Sequence, residues 1–179
     1  VGLQNGGGIR GGDADLAPGE ITRADTLELL PFANFLAWTD ALDAADLVAV
    51  LEHGVSAVEN ADGRFLQVSG VDFSYDPEAA PGERIREVRL ADGTVIFDHD
   101  AGGLQPAAAA VDLAVVTNSF TAAGGDGFEV LAAAPFADLG ATYEQPLVRF
   151  VAEALDGRIT AAAYPEGGEG RIRAVGAGG

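Results

Sequence analysis

A single mixed α+β domain is what this 179-residue chain predicts, on three observations. Helix-like and strand-like apolar patterns alternate along it, and Asp92-Gly93 between two extended runs calls for antiparallel pairing. No internal repeat or compositional break divides the chain, and with hydrophobic residues at 48% it can bury a sizeable core.

The elements follow in order. Val1 to Gln4 reads as the end of a strand, stopped by a glycine run that accepts backbone angles other residues resist. Gly11 to Glu20 is a polar loop with an acidic insert. Thr22 caps a short helix carrying Leu27, Leu29 and Leu30, which Pro31 cannot extend because it lacks an N–H. Phe35 to Thr39 is a strand. Asp43 caps the clearest helix, with Leu47, Val50, Leu51 and Val55 on one face and Gly54 near its end. Phe65 to Tyr75 reads as one long extended stretch ended by Asp76-Pro77, and Arg84 to Leu90 and Thr94 to Phe97 flank the hairpin turn. Leu113 to Thr117 is a further strand, Pro146 to Leu155 a helix, and Arg158 to Ala163 a final strand. The glycine-rich tail from Gly167 to Gly179 is expected to fray.

Charge and composition exclude several functions. Ten basic residues, all arginine and scattered singly, stand against 28 acidic ones for a net charge of −18, which argues against nucleic acid as a partner. A small anion remains within reach of one or two local arginines and backbone N–H groups. The lack of cysteine removes disulfides, zinc–thiolate sites and cysteine nucleophiles. No basic segment leads into an apolar stretch, and no run approaches the roughly 20 apolar residues needed to span a bilayer. Val1 is not an initiator methionine, so the chain is expected to be a mature or excised piece.

Three distant motifs carry chemistry. In Asn5-Gly6-Gly7-Gly8-Ile9-Arg10, the glycines, Gly7 and Gly8 among them, let main chain approach a ligand without Cβ obstruction. Asn5 offers donor and acceptor there, and Arg10 a planar fork for phosphate oxygens. The alternative is a plain glycine turn after a strand. Phe32, after Pro31, and Phe120, in Thr117-Asn118-Ser119-Phe120, are both placed on loops, where two rings could stack on a base; taken singly each reads first as a core residue, because most phenylalanines are buried. Gly124-Gly125-Asp126-Gly127-Phe128 holds one carboxylate among glycines, suited to accept from a pair of ribose hydroxyls, or else forms a surface turn.

Asn5 to Arg10, Gly19-Glu20-Ile21-Thr22, Pro31-Phe32, Leu51-Glu52, Phe65 to Gly70, Pro81-Gly82 and Thr117 to Phe128 together resemble, in order and spacing, the C-terminal domain of the 5'-nucleotidases and UDP-sugar hydrolases. The resemblance implies a layered α/β/β/α fold with mixed sheets and a substrate-recognition role. Phe32 and Phe120 would sandwich the base, with Asp126 at the ribose hydroxyls, Asn5 at the base and Arg10 at the phosphate or ribose, and Gly7, Gly8 and Gly125 would complete the substrate-binding set. It further implies an N-terminal metallophosphatase domain as partner, two divalent metal ions bound there, and a periplasmic, secreted or cell-surface location.

This chain has no Asn-His-Asp or Asn-His-Glu segment of the catalytic kind, so no catalytic or metal-binding residue is assigned and the fragment alone is expected to be inactive. Of its two histidines, His53 ends an amphipathic helix and reads as structural; Asp98-His99-Asp100 places three adjacent side chains that rarely converge on one metal. The resemblance implies further phosphate-gripping arginines upstream of the glycine motif and a first strand and helix, which this piece is expected to lack, leaving an open edge and lower stability. Nucleoside 5'-monophosphates are the implied substrates. Relatives acting on 2',3'-cyclic nucleotides, UDP-sugars or a sulfur-bearing conjugate, and a non-catalytic binding or surface module, stay open as alternatives.

Overall fold

The computed structural model describes residues 1–11, 19–165 and 167–176. The acidic insert expected between Gly11 and Glu20 falls largely outside these residues. Strand β1 (Gly2–Asn5) runs into a 3-10 turn at Gly6–Gly8. Helix α1 (Arg23–Leu29) opens on a capping box in which Thr22 and Asp25 satisfy each other's backbone N–H groups. Strand β2 (Phe35–Thr39) leads to α2 (Ala44–Val55), capped the same way by Asp43 and Asp46.

β3 (Leu66–Ser69) and β4 (Val71–Tyr75) replace the single long strand expected from Phe65 to Tyr75. Gly70, at φ 76°, turns the chain between them, so one extended run serves two sheets. β5 (Ile85–Leu90), β6 (Val95–Asp98) and β7 (Gly103–Leu104) form a meander. In its first turn the Gly93 N–H bonds the Leu90 carbonyl at 2.8 Å, which makes Ala91 and Asp92 the central pair. Only Gly93 takes positive φ, at 90°, and Asp92 instead caps Thr94, so the turn is a longer bulged one than the Asp92-Gly93 pair suggested.

β8 (Val115–Asn118) is followed by the single-turn α3 (Ser119–Ala122), a 3-10 turn at Gly125–Gly127 and α4 (Glu129–Ala133). β9 (Ala137–Thr142), interrupted by Gly140 at φ 69°, lacks the alternation that would have announced it. The helix expected over Pro146 to Leu155 is α5 (Gln145–Arg149), widening into a π turn at Phe150–Ala154.

The C-terminal expectations are reversed. Arg158 to Ala163 is an exposed series of turns rather than a strand, folded back by the Ala163 and Tyr164 N–H groups on the Thr160 carbonyl. The sheet edge is taken instead by β10 (Ile172–Ala174), within the tail expected to fray, which pairs in parallel with Phe73–Tyr75. Backbone pairing needs no apolar side chains, so neighbouring glycines did not prevent it.

Among the described residues the strands form two mixed five-stranded sheets, β3-β1-β8-β2-β9 and β10-β4-β5-β6-β7. One core joins them: Leu3, Leu66, Val68 and Val115 from the first, Phe73, Ile85, Val88 and Ile96 from the second, with Leu47, Leu51 and Val55 of α2 and Phe128 and Leu131 around α4. Glu52 of α2 ties the helix to the second sheet by accepting from the Gly82, Arg84 and Ile85 N–H groups at 2.7–2.9 Å. No described helix is long and apolar enough to cross a membrane.

Candidate functional site

Sheet topology brings the three motifs to one place. β1 and β8 are parallel neighbours, so Asn5 and Asn118 end their strands on the same side. β2 runs antiparallel to β8, with Leu36 opposite Asn118, so the loop bearing Phe32 enters at the end where the segment bearing Phe120 leaves. The Phe35 N–H to Ser119 Oγ bond, at 3.1 Å, fastens the two. Strand ends in a mixed sheet are where ligands commonly bind, because loops there carry side chains free of ladder constraints.

Asn5 lies at the centre, 3% exposed. Its Nδ2 donates to Asp126 Oδ2 at 2.7 Å, across 121 residues of sequence. Its Oδ1 accepts from Asn118 Nδ2 at 2.9 Å and from Gln4 Nε2 at 3.1 Å. Both ends of the amide are therefore engaged with protein, and one amide hydrogen is left over.

Asp126 sits at φ 57°, a left-handed conformation that costs a non-glycine residue about 1–2 kcal/mol but that aspartate tolerates better than most. It is gripped on both sides, by Asn5 on the carboxylate and by His53 on the main chain. His53 Nε2 lies 2.9 Å from the Asp126 carbonyl, which can only accept, so that nitrogen carries the hydrogen. The imidazole also meets the Phe128 ring edge-on at 4.7 Å. His53 is structural, as its helix position suggested, but what it supports is the site.

The glycines make room for protein contacts. Gly6 and Gly7 donate their N–H groups to the Phe65 and Gly63 carbonyls at 2.7 and 2.8 Å. A Cβ on Gly8 would come within 2.7 Å of Asn5 Oδ1, and one on Gly125 would overlap the Phe120 ring. Phe120 thus lies flat against Gly125, with 44% of its surface exposed; Phe32 is 43% exposed. Neither ring is a core residue.

Arg10 stands over the Phe32 ring with its guanidinium carbon 5.5 Å from the centroid, a cation–π contact. Among the described residues it has no carboxylate partner, unlike Arg23, Arg64, Arg84, Arg86, Arg89, Arg149, Arg171 and Arg173. Tyr143, just after β9, closes the back of the site: its hydroxyl donates to the Gly8 carbonyl at 3.0 Å and accepts from the Phe32 N–H at 3.3 Å. The motifs holding Asn5 and Phe32 are thereby joined through one buried phenol.

Asn5, Gly7, Gly8, Arg10, Phe32, Phe120, Gly125 and Asp126 all lie on these connected segments, whereas Asp98, His99 and Asp100 lie apart in the turn after β6. Three supporting residues were missed as such: Asn118, Tyr143 and His53. Asn118 had a signal, since an asparagine ahead of Ser-Phe-Thr is a good helix cap. Tyr143 had none. Among the described residues no three His, Asp or Glu side chains gather as a metal ion requires, and Asp98 instead caps the Asp100 and Ala101 N–H groups of its own turn. The described residues do not offer the ligand set of a dimetal centre.

Residues 1–133 match the family model described as 5'-nucleotidase, C-terminal domain. The trifunctional nucleotide phosphoesterase protein YfkN of Bacillus subtilis is 35% identical over 145 residues, covering 78% of this chain and 9% of that protein. A 5'-nucleotidase of Diplobatis ommata is 32% identical over 128 residues, covering 70% and 21%. The crystal structure of a 5'-nucleotidase precursor from Thermus thermophilus superposes with a TM-score of 0.75 at 34% identity, over 97% of this chain and 31% of that one. The chain thus spans between 9% and 31% of these relatives' lengths.

Burial pushes the Tyr143 hydroxyl above its ordinary range, partly offset by the Phe32 N–H and the charge of Arg10. The folded chain therefore holds this proton to higher pH than the unfolded chain does. The stability so gained is complete below about pH 10 and is lost as pH rises through the raised folded value. Urea unfolding from about pH 8 to pH 11 should show a steeper loss above pH 10 for the native chain than for Tyr143→Phe, and the variant should be about 1–2 kcal/mol weaker at neutral pH. Parallel profiles would contradict this.

Proposed function

Since the chain belongs to the family of 5'-nucleotidase C-terminal domains, we propose that it is the nucleotide-recognition part of a longer phosphohydrolase that converts nucleoside 5'-monophosphates to nucleoside and phosphate. The observation that carries this reading is the 2.7 Å bond from Asn5 to Asp126, which joins the glycine motif to the segment bearing Phe120. In this reading Phe32 and Phe120 offer exposed ring faces to the base. Asp126 accepts from the ribose hydroxyls, while Asn5 holds that carboxylate and keeps one amide hydrogen for the base. Arg10, unpaired with any described carboxylate and propped on Phe32, meets the phosphate or the ribose.

The net charge of −18 fits recognition by a few local groups, since a broad basic surface is lacking. Metal chemistry would have to come from a separate metallophosphatase domain of the longer protein, where divalent ions would supply charge to polarise the phosphoryl group and activate water.

Two measurements test the proposal. Calorimetry with AMP should show weak, saturable binding that Phe32→Ala and Phe120→Ala each weaken by about 1–3 kcal/mol; unaltered affinity in both would remove the two rings from the site. With Mn or Zn added, the 179-residue chain should release no phosphate from AMP, and metal-dependent turnover would show that catalytic groups reside in this chain.

A further inference from the structure

Asn118 is 1% exposed, its side chain linking two motifs. Its Oδ1 accepts from the Thr121 backbone N–H at 3.0 Å and from the Thr121 hydroxyl at 3.2 Å, capping the turn of helix that carries Phe120. Its Nδ2 is consequently turned the other way, toward Asn5 Oδ1 at 2.9 Å and more distantly Gln4 Oε1 at 3.4 Å. Asn5, accepting there, must aim its own Nδ2 at Asp126 Oδ2.

The direction of this relay is fixed at its two ends. A backbone N–H can only donate, and a carboxylate oxygen can only accept, so neither amide between them can flip without setting acceptor against acceptor. Gly8 helps to hold the arrangement, because a side chain there would strike Asn5 Oδ1. Among the described residues Asp126 Oδ1 receives no hydrogen bond, so the relay engages one carboxylate oxygen and leaves the other to a ligand.

We infer that Asn118 is a positioning residue for ligand recognition: it orients the Asn5 amide, which aims Asp126 at a vicinal diol, and it couples that aim to the helical turn bearing Phe120. The inference rests on the reading of Asp126 as the ribose-binding group. The function of Asn118 is thus to give the site its preference for a nucleoside carrying both ribose hydroxyls. Cap and relay are separable: aspartate still caps the Thr121 N–H but, ionised, has no hydrogen for Asn5, and serine caps with its single oxygen and has no second polar atom to stand where the Asn118 Nδ2 meets Asn5.

The test is calorimetry of the whole 179-residue chain with adenosine and with 2',3'-dideoxyadenosine, for the native protein, Asn118→Asp and Asn118→Ser. The native protein should prefer adenosine. Both variants should lose roughly tenfold in affinity for adenosine, weaken clearly less toward dideoxyadenosine, and melt within a few degrees of the native protein. A native-like preference for adenosine in the folded variants overturns the relay alone. Equal weakening toward both nucleosides overturns it too, by reducing Asn118 to general support. Absence of any preference in the native protein overturns the ribose reading of Asp126, and the inference with it. Serine keeps the test open should the added carboxylate disturb folding.

Discussion

A neutral amide held against a carboxylate organises the candidate site of this molecule. The bond from Asn5 to Asp126 spans 121 residues and connects the end of β1 to a glycine-bounded turn beyond β8. It needs both strands to stop at the same level, which the parallel pairing of β1 with β8 provides. It also needs Asp126 in a left-handed conformation, which His53 stabilises from α2 through the carbonyl. The buried core of α2 and both sheets thus bears on the site, since it fixes the helix from which His53 reaches the Asp126 carbonyl.

The same logic explains the glycines. Gly6 and Gly7 bring β1's end against the Gly63–Phe65 segment, Gly8 leaves space for the Asn5 amide, and Gly125 lets Phe120 lie flat. Each is required where protein packs closely on protein, and the surface left for a ligand consists of Phe32, Phe120, Arg10 and one oxygen of Asp126. With the rings nearly half exposed, the candidate site is an open face.

Much of this was legible in the sequence, for physical reasons that differ by element. α1 and α2 announced themselves through Thr22 and Asp43, because capping is local chemistry. The constellation of Asn5, Arg10, Phe32, Phe120 and Asp126 emerged from motifs whose order and spacing are distinctive. What escaped depended on tertiary pairing. β10 consists of Ile172–Ala174 in a glycine-rich tail and exists because β4 offers it an edge; β9 contains Gly140 and persists because β2 supplies partners. The change of sheet at Gly70 follows from its positive φ, which no apolar periodicity encodes. Tyr143 was silent for a similar reason, since its partners, the Gly8 carbonyl and the Phe32 N–H, lie more than a hundred residues away.

The central claim is that three segments distant in sequence form one nucleotide-binding surface. Titration of the isotopically labelled chain with AMP, followed through backbone amide resonances, tests it most directly. The account predicts saturable shifts concentrated on Gly6 to Arg10, on Phe32, and on Phe120 to Phe128, all fitting one dissociation constant. Shifts that are absent, that gather elsewhere on the two sheets, or that require different constants for the three segments would contradict it.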